Sequence, residues 1–127
     1  FRFSADELER MKTDALSHLS SPVAYLSTFE VLTAHLHRHV MLARQHPPTT
    51  LTRIFISTNT RPRLSQPKIS STYFGNGTMF SYVEVMMSTV IEDEHLSLIA
   101  TQIHQAIERN NNEDIRTTLA WTRSQSD

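Results

Sequence analysis

Only two glycines occur in the 127 residues of this chain, and both lie in the stretch Ser71-Thr72-Tyr73-Phe74-Gly75-Asn76-Gly77-Thr78. An average protein carries about 7% glycine. Elsewhere the backbone is therefore confined to conformations that a residue with a Cβ tolerates. The chain has little backbone freedom to place, and it places all of it beside one Tyr-Phe pair and around one asparagine.

A length of 127 residues suits one domain or part of one, with room for a real core. A formal net charge of −1, with no basic stripe, leaves no electrostatic footprint for nucleic acid. With no cysteine, disulfide frameworks and thiolate chemistry are excluded, and the redox compartment stays open. No apolar run approaches the roughly 20 residues that cross a bilayer, and no signal-peptide pattern opens the chain. The sequence starts at Phe1 inside FRFSA and stops at Asp127 in a polar tail. Both ends read as cut.

Phe1-Arg2-Phe3 alternates apolar and polar as a half-buried strand does. Ser4 with Glu7 spells a capping box, so a helix is expected from Ala5 to near His18, with Leu8, Met11, Ala15 and Leu16 at helical spacing. A loop with Pro22 follows. Ser27 or Thr28 caps a longer helix to about Arg44, with Glu30 suited to its dipole and Phe29, Leu32, Leu36 and Val40 on one face. Pro47-Pro48 ends it, and the β-branched run from Thr50 to Thr58 predicts a buried strand. A loop carries Pro67, then Thr78 to Met87 predicts a second long strand. Asp93 or Ser97 opens a helix to Arg109 with Leu98, Thr101, Ile103 and Ile107 near one face. After the break at Asn110-Asn111-Asn112, a last helix from about Glu113 to Arg123 turns Ile115, Leu119 and Trp121 to the core. The order β-α-α-β-β-α-α predicts an α/β (α+β) two-layer arrangement, helices over a sheet that is short of strands.

Complete catalytic sets are missing from these residues. His35 and His39 share a helix face, which allows two metal ligands, but a zinc site needs more and no metalloprotease spelling follows them. Hydrogen-bonded or surface histidines are the simpler reading, and no metal is expected. Arg61 and Arg63 alternate after a strand and would share one side of it; an arginine there suits a forked pair with a carboxylate or a solvated surface charge.

Several blocks together resemble the BAHD family of plant and fungal acyl-CoA-dependent acyltransferases. FRFSADELERMK is similar to the strand-then-helix opening of that family's second half. Ser27-Thr28-Phe29-Glu30-Val31-Leu32-Thr33-Ala34-His35-Leu36-His37-Arg38 resembles S-[ST]-[FY]-E-x-L-x-A-H-x-W-R, with His37 in place of the tryptophan. Asn59-x-Arg61-x-Arg63-Leu64 resembles [DN]-x-R-x-R-[LM], Tyr73-Phe74-Gly75-Asn76 resembles the family's YFGN, and Glu113 to Leu119 resembles D-[ED]-Y-[VL]-R-S-[AM]-L. These blocks follow the family's order over nearly the whole chain.

The resemblance implies a chloramphenicol-acetyltransferase-like sandwich, with a mixed sheet covered by helices on one face. Residues 1–127 would be part of the C-terminal domain of a two-domain enzyme that moves an acyl group from acyl-CoA to an alcohol or amine. It implies a cytoplasmic location, acyl-CoA as co-substrate and no prosthetic group. The implied partners are the remainder of the same enzyme and a small-molecule acceptor, with neither nucleic acid nor membrane. The family's proton-abstracting histidine belongs to an H-x-x-x-D motif in the first half, and its D-F-G-W-G loop lies past the region matched here. None of the seven histidines here is followed by aspartate at that spacing, so no catalytic residue is expected in this chain. Arg61 matches the arginine that pairs with the aspartate of that motif. Ser27 and Thr28 match the coenzyme A side of a helix start, and Tyr73 and Asn76 match the strand beside the channel. Ser65-Gln66 stands near where shikimate-using members carry an arginine, which argues against a shikimate-like acceptor. The competing expectation is a non-catalytic interaction domain that binds through the helix faces of 29–44 and 97–109.

Overall fold

A computed structural model describes residues 2–19, 23–66 and 68–125. Phe1, Ser20 to Pro22 (where a loop is expected), Pro67 and Ser126-Asp127 lie outside the described residues. The elements are α1 (Ala5–Ser17), α2 (Thr28–Arg44), β1 (Leu51–Asn59), β2 (Thr78–Met86), α3 (Met87–Glu92), α4 (Ser97–Glu108) and α5 (Asn112–Ser124). They form two compact units, Phe1–Ile54 with Val83–Gln105 and Phe55–Tyr82 with Ala106–Asp127.

The strands pair antiparallel in a two-stranded sheet. Hydrogen bonds from Met87 N–H to Thr50 O and from Thr60 N–H to Gly77 O close its two ends in one register. β1 alternates strictly, with Thr52, Ile54, Ile56 and Thr58 buried and Leu51, Arg53, Phe55 and Ser57 exposed. It is therefore half-buried, not the fully buried strand expected from its β-branched run. Parallel pairing, which a mixed sheet requires, does not occur among the described residues. The expected strand at Phe1–Phe3 is also unformed over Arg2 and Phe3, which pair with no strand among the described residues; Phe1 lies outside them. Instead, Phe3 sets its ring edge-on to His35 at 5.6 Å.

In the first unit, α1 packs on α2 and α2 on α3. Ala15, Leu26, Val31, Ala34, Ile54, Val83, Val85, Met87, Val90, Ile99, Ala100 and Ile103 make its core. Ser4 and Glu7 form the expected capping box on α1. α4 is capped less directly. The residue before it, Leu96, is buried with φ 62°, and the Asp93 carboxylate accepts from Ile99 N–H at 2.9 Å. Both sequence candidates for this helix start thus contribute, Ser97 as first residue and Asp93 as cap.

The face of α2 expected to be buried is open. Phe29, Leu36 and Val40 are 54%, 41% and 46% exposed, while Glu30, Val31, Ala34 and Met41 point inward. On α4, likewise, Leu98 is exposed and Ile99, Ala100, Ile103 and Ala106 are buried.

The second unit has a more polar interior. Asn110 donates to Thr58 Oγ1 at 3.0 Å and to Ser81 Oγ at 2.6 Å, and Thr60 Oγ1 donates to Gly77 O at 2.8 Å. Asn111 caps α5 by accepting from the N–H groups of Glu113 and Asp114. Ile115 is buried, but Leu119 and Trp121, expected in the core, are 47% and 63% exposed. On the sheet, Phe55, Phe80 and Tyr82 are also exposed, with Phe55 and Tyr82 ring centroids 6.2 Å apart.

Candidate functional site

The glycines explain themselves through two side chains. β1 ends at Asn59, and a turn closed by Arg63 N–H and Leu64 N–H on Thr60 O carries Arg61. Its guanidinium reaches back over residues 73–77. Nε donates to Tyr73 O at 3.3 Å, Nη1 to Asn59 Oδ1 at 3.2 Å, and Nη2 to Gly75 O. The Tyr73 ring lies 5.9 Å from the Arg61 Cζ, within cation–π range.

A Cβ on Gly77 would sit 2.8 Å from both Cζ and Nη1 of Arg61, and one on Gly75 would overlap the Tyr73 ring. Neither glycine has positive φ. Close approach of side chains, not turn conformation, is what a Cβ at either position would disturb. Among the described residues no carboxylate pairs with Arg61. Its full charge is held by neutral oxygens alone.

Arg63 parts company with Arg61. The strand has ended and Pro62 turns the chain, so the two do not share a side as alternation suggested. Arg63 Nη1 donates to Ile107 O at 3.0 Å and Asn110 O at 3.3 Å, which satisfies the C-terminal carbonyls of α4 and suits its dipole. Asn76 Oδ1 accepts from Thr78 N–H at 3.2 Å and so starts β2, with the residue itself exposed. Beside Arg61 an open groove of about 680 Å³ is lined by Asn59, Arg61, Pro62, Lys68, Ile69, Ser70 and Ser71. Arg61, Tyr73 and Asn76 therefore gather in the second unit, whereas Ser27 and Thr28 belong to the first.

Ser27 is the N-cap of α2. Its N–H donates to Glu30 Oε2 at 2.6 Å and its Oγ accepts from Glu30 N–H at 3.3 Å. Glu30 is only 4% exposed, and its other oxygen lies 3.0 Å from His104 Nδ1. This buried link from α2 to α4 was not foreseen, because its partners stand 74 residues apart. The N–H groups of Thr28 and Phe29 remain unengaged among the described hydrogen bonds.

His35 and His39 do come together, with ring centroids 4.1 Å apart, but His39 Nδ1 is engaged by His35 O at 2.8 Å. Among the described residues no third ligand converges on them. His37, which stands where the motif has tryptophan, lies 3.0 Å from Thr52 Oγ1, and that hydroxyl donates to Val85 O at 2.7 Å. Thr52 must then accept, so His37 donates from Nε2.

Burial holds the His37 imidazole below the usual histidine range, and burial, then His39 and Arg38, does the same for His35. The unfolded chain, with histidines near about 6.5, takes up protons first as pH falls. Stability is thus full above that value and declines as pH drops toward the lower folded-state values. Melting temperatures between pH 7.5 and 5 are expected to show this decline, and His37→Gln to flatten part of it.

With the geometry in place, the chain can be compared with known proteins. The sequence profile described as the Transferase family matches residues 1–126. The chain belongs to this BAHD transferase family. Shikimate O-hydroxycinnamoyltransferase of Nicotiana tabacum is 27% identical over 127 residues, covering 100% of this chain and 28% of the relative. Hydroxycinnamoyltransferase 1 of Oryza sativa subsp. japonica is 31% identical over 127 residues, 100% of this chain and 28% of the relative. Eremophilane O-acetyltransferase prx11 of Penicillium rubens is 32% identical, covering 91% of the chain and 25% of the relative. This BAHD chain thus spans about a quarter of the length of the curated relatives it matches. Its fold is similar to a part of TRI101 from F. sporotrichioides, solved with coenzyme A and T-2, at a TM-score of 0.74 and 20% identity over 91% of this chain and 25% of that one. Among the described residues no helix is long and apolar enough to cross a membrane.

Proposed function

We propose that this BAHD chain is one section of a cytoplasmic acyl-CoA-dependent acyltransferase, and that it braces and walls a reaction whose base lies on another segment. In that reaction a histidine takes the proton of an alcohol or amine, the freed lone pair attacks the thioester carbonyl, and the coenzyme A thiolate leaves. The observation that carries the reading is the Arg61 guanidinium, held by neutral oxygens with no carboxylate paired to it among the described residues. A fixed fork with an uncompensated charge suits a forked pair with a carboxylate from elsewhere in the polypeptide, which would fix the loop carrying the base.

Tyr73 and Asn76 line the channel in this reading, and the open N–H groups at the start of α2, beside Ser27 and Thr28, face the coenzyme A side. Coenzyme A in the TRI101 structure supports acyl-CoA as the co-substrate. The exposed Phe29, Leu36 and Val40 fit a surface that the remainder of the enzyme covers. The test is a chimaera in which residues 1–127 replace the matching segment of the Nicotiana tabacum relative. Acceptor-dependent thiol release from acyl-CoA by the folded chimaera supports the reading, and a folded chimaera without it counts against the reading.

A further inference from the structure

We propose that Asp14, His18 and His95 form a surface site for a divalent transition metal, with zinc as the representative ion. Asp14 and His18 stand four residues apart at the end of α1, so both project from one face of its last turn. His95 arrives from the turn between α3 and α4, where the left-handed backbone at Leu96 takes that side chain inward and leaves His95 at the surface. All three belong to the first unit.

Asp14 Oδ2 lies 3.0 Å from His95 Nδ1, and Oδ1 lies 3.6 Å from His18 Nδ1. One ligand atom from each residue falls within 4.8 Å of the other two. Tetrahedral zinc with ligands at about 2.0–2.1 Å holds neighbouring ligand atoms roughly 3.3 Å apart. The carboxylate-to-imidazole spacings already bracket that value. Two imidazoles with one carboxylate make a donor set suited to zinc or cobalt rather than to magnesium or calcium, which take oxygen ligands.

The rings of His18 and His95 now stack in parallel, 3.5 Å between centroids and 2° between planes. Metal binding requires them to swivel so that both nitrogens aim at one ion. Each histidine side chain is 45% exposed. His18 Nδ1 also lies 2.9 Å from Asp14 O and 3.0 Å from Ser17 Oγ. Nδ1 of His18, like Nδ1 of His95 beside Asp14 Oδ2, must be free of a proton to ligate, so these hydrogen bonds give way when the ion binds.

The test is calorimetric titration of the full 127-residue chain with zinc chloride at pH 7.5, paired with nitrogen-detected imidazole spectra. The expected result is one saturable site, with coordination shifts on Nδ1 of His18 and His95. Asp14→Asn and His95→Ala should each weaken binding at least tenfold, because a direct ligand matters no less than its outer-shell support, which is worth about 10–100-fold. A His35→Ala/His39→Ala double variant should leave the site intact. Absence of saturable binding by the unaltered chain, or binding lost in the double variant and kept in the other two, overturns the proposal. The spectra of the unaltered chain decide the matter even where a variant misfolds.

Discussion

Arg61→Ala in the chimaera is expected to lower kcat about 100-fold with little change in KM for acyl-CoA. A brace touches neither substrate, so its loss appears in the reacting geometry rather than in binding. A misplacement of about 1 Å at a catalytic group costs on the order of 10²-fold. Gly77→Val should copy the effect without altering the arginine. Its Cβ would lie 2.8 Å from Arg61 Cζ and Nη1, which forces the guanidinium off Tyr73 O, Gly75 O and Asn59. The displaced group is the far end of a flexible side chain, so the fold should survive the substitution. Arg61→Lys keeps the charge but loses the fork, and should restore only part of the rate. Steady-state kinetics on the four proteins, with circular dichroism for folding, checks the set. A kcat unchanged by either Arg61→Ala or Gly77→Val would remove the brace from the account.

The largest stability effect should come from Ile103→Ala. This side chain is 0% exposed at the centre of α4's buried face. Removing its three outer carbons loses both the transfer free energy and the packing of the cavity left behind, about 2–5 kcal/mol. Native domains hold only about 5–15 kcal/mol in total, so much of the margin would go. Urea midpoints should show the loss, and Ile103→Val a smaller one of about 0.5–1.5 kcal/mol.

Local signals in this chain were legible because their causes are local. Ser4 with Glu7 forms the capping box that its spacing predicts, Ser27 is the one of the two expected hydroxyls that caps α2, and the break at Asn110-Asn111-Asn112 supplies Asn111 as the cap of α5. The run from Thr50 to Thr58 formed its strand. The short helix α3 was read instead as the end of β2 and the link that follows it, since Met86-Met87 continues the apolar run with no breaker. Which face of a helix is buried proved harder. Periodicity reveals that Phe29, Leu32, Leu36 and Val40 form a stripe, but not whether anything lies over it, and here most of the stripe is open. Leu119 and Trp121 were misread for the same reason.

The site was half legible. Arg61, Tyr73 and Asn76 lie in the same unit, but no spacing in the sequence shows that Arg61 and Tyr73 fold across the two glycines. Contacts between residues far apart in sequence carry no spacing signal. Glu30 with His104 and Asp14 with His95 are of this kind.

The central claim is that the proton-taking group sits outside these 127 residues. Its most direct test is continuous thiol release from acetyl-CoA by the purified chain alone, with an alcohol acceptor present. The expected rate equals that of buffer at every chain concentration. A rate that rises in proportion to the chain, and depends on the acceptor, would contradict the claim.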